Sequence, residues 1–431
     1  MFHPRVFETS FLAAMSAALG VAAAVCSGLA NGSWNLPTKP DAPRSVYAGT
    51  VWAWENIWFV ANVLIPIFNT ALVLAVVGPS VLSEVFAEAE PRHLWAICVP
   101  SLAWGWGGVG FGQAIKRLGV ALGTSIVMGI IVVIGTALPA ILDADELTAT
   151  QASGVALGVA LGVAGFVAGG RAGLLRDCAL EKEKQTHVDV EVVDHARSDD
   201  VVANAGLGGV KDRGGDAKLR ESASGVKGSS SDSFWVSILW CLAGGVLSSM
   251  LQFAFVFGGA VVDLAKNKGV PDAAAAMPVW LLCFACNAFG HLAYSGYLLR
   301  VNGTWRRFFV VFTDDVYKRE SDDGFRDAGP PKKKRNSWGL TLHAVFMCVL
   351  MALAMPFHIH TYGIAAVLLG RTGAVFAWPV VMSATVFTAQ SWSVVLREFE
   401  GAPKIAKRWN TGSLCLLVTS VVVVAVTGTF G

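Results

Sequence analysis

Long runs of apolar residues recur along the whole chain. Each is close to the ~20 residues that an α-helix needs to cross the hydrocarbon core of a bilayer. Charged residues make up 15% of the 431 residues, whereas soluble domains carry roughly 25%. The pattern predicts an all-α polytopic membrane protein with ten transmembrane helices, at approximately 10–30, 54–78, 93–113, 119–142, 152–170, 234–259, 274–299, 340–361, 374–396 and 411–430.

Two polar stretches interrupt these runs. Residues 171–233 are rich in Gly, Ser, Asp and Lys without sustained periodicity, a composition that cannot bury a core. Residues 300–338 form a polar loop with the basic cluster KKKR, which is typical of a segment beside anionic lipid. The expected organisation is a five-helix half over 1–170, a disordered cytoplasmic linker over 171–233, and a second five-helix half over 234–431.

The distribution of Lys and Arg between the predicted helices predicts the orientation. The loops after helices 1, 3, 5, 7 and 9 hold 28 of these residues, and the loops after the even-numbered helices hold 4. Under the positive-inside rule the odd loops are cytoplasmic. Lys116 and Arg117 then mark a tight cytoplasmic turn between helices 3 and 4. The first run could also be a cleaved signal peptide, but its length favours a retained helix.

A short internal repeat supports the division into halves. FGQAIKRLG at 111–119 aligns with YGIAAVLLG at 362–370, and each closes the third helix of its half. Because five is odd, the halves insert with opposite orientation, so the cations of the first copy are replaced by Val367 and Leu368 in the second. Inverted repeats are typical of secondary transporters, whose substrates bind near the midplane.

Several motifs resemble the L-rhamnose–proton symporter family of the drug/metabolite transporter superfamily. They are WAWENIW at 52–58, WGWGGVGFGQAIKRLG at 104–119, LGTSIVMGIIVVIGT at 122–136, SSMLQFAF at 248–255 and WSVVLREFEGAP at 392–403. The resemblance implies transport of a small sugar, L-rhamnose or similar, by proton symport through alternating access. One departure is Gly108, where bacterial relatives tend to have Asn, so an amide that could hydrogen-bond a sugar hydroxyl is missing there. The alternative is an exchanger or uniporter for another sugar derivative or metabolite.

A sugar site within a membrane needs aromatic faces for C–H surfaces and a few polar groups for hydroxyls. Each aromatic side chain can equally be a packing or interface residue, whereas intramembrane amides require partners. For the glycines of residues 104–112, close helix packing and a ligand cavity are both open readings. The candidate substrate-binding residues are Trp104, Trp106, Gln113, Gln252, Asn287, His291, Trp378 and Gln390.

Proton coupling needs an ionisable group within the membrane. Glu55 is the one acid that lies plausibly within a predicted helix, where it either couples protons or sits at the interface. His358 and His360 are the other candidates, either for coupling or as polar packing residues. Their spacing of two residues places them on different helix faces, which makes them a poor metal pair.

Other classes of function find little support in the sequence. HExxH, GxSxG with partners, P-loop and EF-hand patterns are absent, so we expect no enzymatic activity and no cofactor. Cys283 and Cys286 form a CxxC without a second pair, which favours free buried thiols over a metal site. The expected partners are a sugar, a proton and the lipid bilayer, with no nucleic acid. The sequence leaves open whether the membrane is the plasma membrane or an internal one.

Overall fold

The computed structural model describes residues 4–34, 36, 52–203, 231–308 and 337–430. Within these ranges the chain forms eleven α-helices, three short 3₁₀ segments and no strand. The helices are α1 (Pro4–Ser33), α2 (Trp54–Val77), α3 (Pro79–Glu88), α4 (Pro91–Leu142), α5 (Ala149–Ala203), α6 (Ser231–Phe257), α7 (Gly259–Asn267), α8 (Met277–Val301), α9 (Ser337–Leu368), α10 (Gly373–Val395) and α11 (Lys404–Phe430).

Ten stretches of these helices are long and apolar enough to span a membrane, which confirms the predicted number. We number them as spans 1 to 10. They are Met15–Ser33, Trp54–Val77, Pro91–Ala114, Gly123–Leu142, Ala149–Ala179, Trp235–Asn267, Asp272–Val301, Thr341–Leu368, Gly373–Val395 and Lys404–Thr429. The chain is therefore an integral, multi-pass membrane protein.

Spans 3 and 4 belong to one helical stretch, α4, instead of two helices with an open turn at Lys116 and Arg117. Gly110 of span 3 packs on Gly244, and Ile130 of span 4 packs on the adjacent Gly245. A straight helix would separate residues 110 and 130 by about 30 Å, far more than neighbouring contacts on α6 allow. The chain therefore reverses its direction between residues 110 and 130, and α4 is sharply bent there.

The helix α5 continues well beyond span 5. Residues 171–203, expected to be part of a disordered linker, extend α5 to Ala203. The stretch ALEKEK at 179–184 consists of strong helix formers with alternating charges, a sequence that favours a helix by itself. The rest of the expected linker, 204–230, lies outside the described residues, as does most of the basic loop at 300–338.

Ion pairs between loops show that the even-numbered loops share one side of the protein, which we call the even face. Lys268, after span 6, pairs with Glu88 and lies 3.4 Å from Glu84 in the segment after span 2. Arg371, after span 8, lies 2.8 Å from Glu146, after span 4. Both pairs join loops that the predicted orientation places on the same side.

The odd-numbered loops likewise meet at the opposite side, the odd face. Arg176, at the end of span 5, pairs with Glu398 after span 9 at 2.9 Å. Thr304 and Asn302, after span 7, donate hydrogen bonds to Glu55 at the start of span 2. Every one of these contacts agrees with ten spans in alternating direction.

Each of the main helix contacts has a counterpart in the other half of the chain. If span 1 is replaced by span 6, span 2 by span 7 and so on, one observed contact turns into another observed contact. Span 1 packs on spans 8 and 9, and span 6 packs on spans 3 and 4. Span 2 packs on span 8 as span 7 does on span 3, and span 4 packs on span 5 as span 9 does on span 10. Spans 2 and 7, 4 and 9, and 5 and 10 contact each other. Two halves related by a two-fold axis would pack in this way.

Candidate functional site

Polar and aromatic side chains line one face of α8 through the thickness of the membrane. Trp280, Phe284, Asn287, His291 and Tyr294 follow one another at intervals of four, three, four and three residues. Residues at this spacing lie on one side of an α-helix. This α8 face runs from near the even face at Trp280 to the odd half of the span at Tyr294, and it contacts α2, α4 and α6.

Asn287 lies near the middle of α8 and has an unsatisfied donor. The residue is 5% exposed, and its Nδ2 has no hydrogen-bond partner in the part of the chain that the structure describes. The backbone of α4 approaches closely here, because Gly105 has no side chain to keep it from the Asn287 carbonyl. A buried amide donor without a partner costs about 1–3 kcal/mol, so Asn287 is suited to receive an acceptor from a ligand.

His291 lies one helical turn from Asn287 and is held by α2. Trp58 Nε1–H donates to His291 Nδ1 at 3.3 Å, and the two rings meet edge to face at 5.5 Å. The Cε1 edge of the imidazole, between the two ring nitrogens, packs on α4, where a Cβ at Gly108 would collide with His291 Cε1. The absent side chain at Gly108 is therefore what admits the histidine.

Two further sequence candidates on α4 also contact the α8 face. Gln113 Nε2 donates to the Tyr294 hydroxyl at 2.5 Å. The Trp104 ring lies 6.0 Å from Phe284. The structure thus brings Trp104, Gln113, Asn287 and His291 together along one helix interface.

An aromatic cluster closes the even half of this interface. Phe255 stacks on Trp280 with ring centroids 4.8 Å apart and planes inclined by 4°. Tyr362 packs against both rings and donates its hydroxyl to Gln252 Oε1. Trp378 meets Tyr362 edge to face at 5.5 Å. Gln252 and Trp378 therefore belong to a fully buried cluster next to Trp280.

The two candidate histidines of α9 face different helices, as their spacing predicts. His360 Nε2 shares a hydrogen bond of 2.8 Å with Asn69 Oδ1 on α2, and Asn69 Nδ2 reaches the Trp280 carbonyl at 3.4 Å. His358 Nδ1 lies 2.7 Å from Ser27 Oγ on α1. His360 is thus linked to the aromatic cluster, whereas His358 joins α9 to α1.

Glu55 lies at the odd end of α2, in the second position of the helix. It is 7% exposed, and it is the only buried carboxylate among the described residues. Its Oε1 accepts from Thr304 Oγ1 at 2.7 Å and from Asn302 Nδ2 at 3.0 Å. The neighbouring Asn56 donates to the Thr304 carbonyl and caps the first turn of α2. The carboxylate therefore lies at the odd-face end of span 2.

Two sequence candidates are not brought to the α8 face. Trp106 is 42% exposed and points away from the protein interior. Gln390 lies between α5 and α11, where Gly169 and Ser413 are its neighbours, and its Oε1 has no hydrogen-bond partner among the described residues. Within residues 104–112, Gly105, Gly107, Gly108 and Gly110 allow close packing on α8 or α6, and only Gly112 has no described atom within 4 Å of its position.

Several residues of the site were missed from the sequence, among them Trp280, Phe284 and Tyr294 on the α8 face. Trp58, Asn69 and Tyr362 contact the residues that were predicted. Asn69 carried a signal, because an amide in an apolar span requires a partner. Trp58 and Tyr362 lie in motifs that were recognised, but nothing local distinguishes them from packing residues.

A cavity of about 700 Å³ lies elsewhere, between span 4 and α5. Its lining is almost entirely Ala, Val and Leu, with Thr136 as the polar exception. A surface without convergent polar groups does not suit a sugar. The cavity is therefore separate from the candidate site. Among the described residues, no group of three or more His, Cys, Asp or Glu side chains could hold a metal ion.

Residues 45–191, about a third of the chain, match the family model described as L-rhamnose-proton symport protein (RhaT). The resemblance seen in the motifs is confirmed over this range, which includes spans 2 to 5. Comparisons with curated proteins and with solved structures found no match.

Proposed function

We propose that this chain, which matches the L-rhamnose-proton symport family over spans 2 to 5, is a secondary active transporter for a small sugar. L-rhamnose is the first candidate substrate, moved together with a proton by alternating access. The observation that carries the proposal is the unsatisfied Asn287 amide in the middle of a span. A transporter binds its substrate near the midplane. A buried donor without an acceptor at that depth can form a hydrogen bond with a hydroxyl of the ligand.

The surroundings of Asn287 suit a sugar. His291 and Gln113 are polar groups on the same interface, and Trp104, Phe284 and Trp280 offer aromatic faces. Sugars present C–H surfaces to aromatic rings and hydroxyls to a few fixed polar groups. The substrate site in this proposal is the α8 face with its partners on α2, α4 and α6.

Alternating access is supported by the packing of the spans. If each span of the first half is replaced by its counterpart in the second half, the main set of contacts stays the same. The first half could therefore adopt the arrangement of the second half, and the second that of the first. Such an exchange would open a site near the midplane first to one face and then to the other.

Glu55 is the first candidate for proton coupling, with His358 and His360 as the alternatives. One proton moving through 100 mV supplies ~2.3 kcal/mol, enough for a sugar gradient of roughly 50-fold. The second candidate function is uniport or exchange of another sugar derivative or metabolite. It is favoured by the position of Glu55, whose two hydrogen bonds at a helix end also suit a purely structural anchor.

The test is uptake of radiolabelled L-rhamnose into proteoliposomes with and without an inward proton gradient. Uptake that rises with the gradient and loses this dependence in Glu55→Gln would support symport through Glu55. The control is Glu84→Gln, which removes an exposed carboxylate on the even face. Gradient-driven uptake that survives Glu55→Gln would move the coupling role to His358 or His360. Uptake indifferent to the gradient would favour uniport, and no uptake by folded protein would exclude L-rhamnose.

A further inference from the structure

The hydrogen bond between Trp58 and His291 has a chemical consequence. An indole N–H can only donate, so His291 Nδ1 must be the acceptor in the 3.3 Å contact. A neutral imidazole that accepts at Nδ1 carries its proton on Nε2. Trp58 thereby determines which nitrogen of His291 is a donor.

The Trp58 ring is itself held in place. It stacks on Trp54 at 5.0 Å with an interplanar angle of 17°, and Trp34 packs against it at 5.4 Å. Asn62 Nδ2 donates to the Trp58 carbonyl at 2.8 Å, one turn along α2. A side chain fixed on several sides loses little further freedom when it orients another group.

The Nε2 edge of His291 points along the interface with α4. Gly105 lies against Asn287 and Gly108 against His291, so both side chains border the same stripe of glycines. The stripe ends at Gly112, beside which no described atom lies within 4 Å. The ring hydrogen bond of His291 uses Nδ1, and Asn287 Nδ2 is buried without a hydrogen-bond partner among the described residues.

We infer that Trp58 is a positioning residue for substrate recognition. It holds His291 with a proton on Nε2, so that α8 presents two N–H donors one helical turn apart, Asn287 Nδ2 and His291 Nε2. Such a pair selects a ligand that offers two acceptor oxygens, such as the hydroxyl or ring oxygens of a sugar. This inference rests on the proposed function, because it assigns the donors to the transported sugar.

The first measurement does not depend on transport. Histidine labelled with ¹⁵N is incorporated into the full-length protein in lipid bilayers, and solid-state NMR at mildly alkaline pH reports which ring nitrogen is protonated. The signal of His291 is identified by its loss in His291→Gln. We expect the Nε2–H tautomer in the native protein and a mixture in Trp58→Phe, which keeps an aromatic ring but lacks the N–H. Trp95→Phe removes an exposed indole N–H near the start of α4, away from His291, and should leave the tautomer unchanged. An Nδ1–H tautomer in the native protein, or no change in Trp58→Phe, would overturn the inference.

The second measurement is the concentration dependence of L-rhamnose uptake. Loss of one fixed donor should raise KM about three- to tenfold, the range expected for one neutral hydrogen bond. We expect this in Trp58→Phe, with the maximal rate within about twofold of the native value. His291→Gln retains an N–H near the Nε2 position and should bind better than His291→Asn, whose amide reaches only the Nδ1 position. Equal KM values for these two variants, or a reduced maximal rate without a change in KM, would contradict the inference. If the native protein does not take up L-rhamnose, the proposed substrate fails, and the tautomer measurement alone decides the role of Trp58.

Discussion

Arg371 Nη1 lies 2.8 Å from Glu146 Oε1 and so links the loop after span 8 to the loop after span 4 on the even face. The side chains are 76% and 43% exposed. Ion pairs this exposed contribute at most about 1 kcal/mol. The contact therefore reports which loops are adjacent in this conformation more than it stabilises the fold.

Cross-linking these two loops should stop transport. If the even face opens when the halves exchange roles, residues 146 and 371 must move apart. We expect a bifunctional maleimide to inhibit uptake in a Glu146→Cys/Arg371→Cys variant whose native cysteines are replaced. The control pair is Arg397→Cys with Glu400→Cys, which lie in one short turn. Full uptake by the cross-linked 146–371 protein would show that the even face does not open there.

The ion pair between Arg176 and Glu398 should contribute to stability. Both side chains are 15% exposed, and Phe399 lies beneath the guanidinium at 5.4 Å. Arg176→Ala removes a largely buried cation that Glu398 and Asp177 share, so it should lower the free energy of unfolding by about 1–3 kcal/mol. Thermal unfolding in detergent would show this. Arg397→Ala, which breaks a pair with exposed side chains, should have almost no effect. Similar melting temperatures for the two variants would refute the prediction.

Gly110 and Gly112 offer a matched pair on the same helix. A Cβ at Gly110 would lie 2.8 Å from Gly244 Cα, and this backbone atom can move only if the helix shifts. Gly112 has no described atom within 4 Å of a Cβ at its position. Gly110→Ala should destabilise the protein by about 1–3 kcal/mol through overpacking. Gly112→Ala should be neutral or stabilising by up to about 1 kcal/mol, because alanine favours the helix. The melting temperatures of the two variants check the ordering, and a reversed order would mean that α4 and α6 do not pack through Gly110.

Asp143 predicts a pH dependence of stability. Partial burial raises the pKa of its carboxyl above the ordinary value, and Glu146 adds to this, while Arg371 opposes it. Asp143 also follows the C-terminus of α4, where a negative charge is unfavourable. Because the folded state favours the protonated carboxyl, the free energy of unfolding is higher at low pH and falls as pH rises through the folded-state pKa of Asp143. Asp143→Asn should therefore raise stability at neutral pH by roughly 0.3–1 kcal/mol and have no effect in acid.

The measurement is thermal unfolding of both proteins from acidic to neutral pH. The control is Asp145→Asn, whose side chain is exposed within the adjacent 3₁₀ turn. A stabilisation by Asp143→Asn that persists in acid would point to a cause other than ionisation.

The orientation can be tested with a native thiol. Cys178 is exposed near Arg176 on the odd face, and Glu90 is exposed on the even face. The excess of cations predicts a cytoplasmic odd face. A membrane-impermeant maleimide should label Cys178 only after the cells are permeabilised. The same reagent should label the thiol introduced in a Glu90→Cys variant while the cells are intact. The reverse pattern would invert the orientation and leave the ten spans intact.

The ten spans were predictable because hydropathy acts locally, over about 20 residues at a time. The helical course of α4 past Lys116 was not, since two charges between apolar runs indicate a boundary but not its backbone conformation. The helix over 171–203 was missed for a related reason. Its composition excludes a buried core, yet its helix formers do not require one.

The candidate site was predicted only in part. Asn287 and His291 stand out because polar side chains are costly within a span. Trp104 and Trp106 look equivalent in the sequence, but residues two apart point to different sides of a helix, and nothing local indicates which side faces α8. The partner of His291 is Trp58, 233 positions away. Contacts at that distance depend on tertiary packing.

The contact between Ser27 and His358 has a consequence for how the protein is made. These residues are 331 positions apart, and α1 packs chiefly on α9 and α10. At about 5–20 residues per second of synthesis, α1 waits in the bilayer for roughly half a minute before the helices that cover it exist. During that interval the Ser27 hydroxyl and the small residues of α1 face lipid or the insertion machinery. Substitutions in α1 should therefore act on membrane insertion and yield before they act on the finished protein.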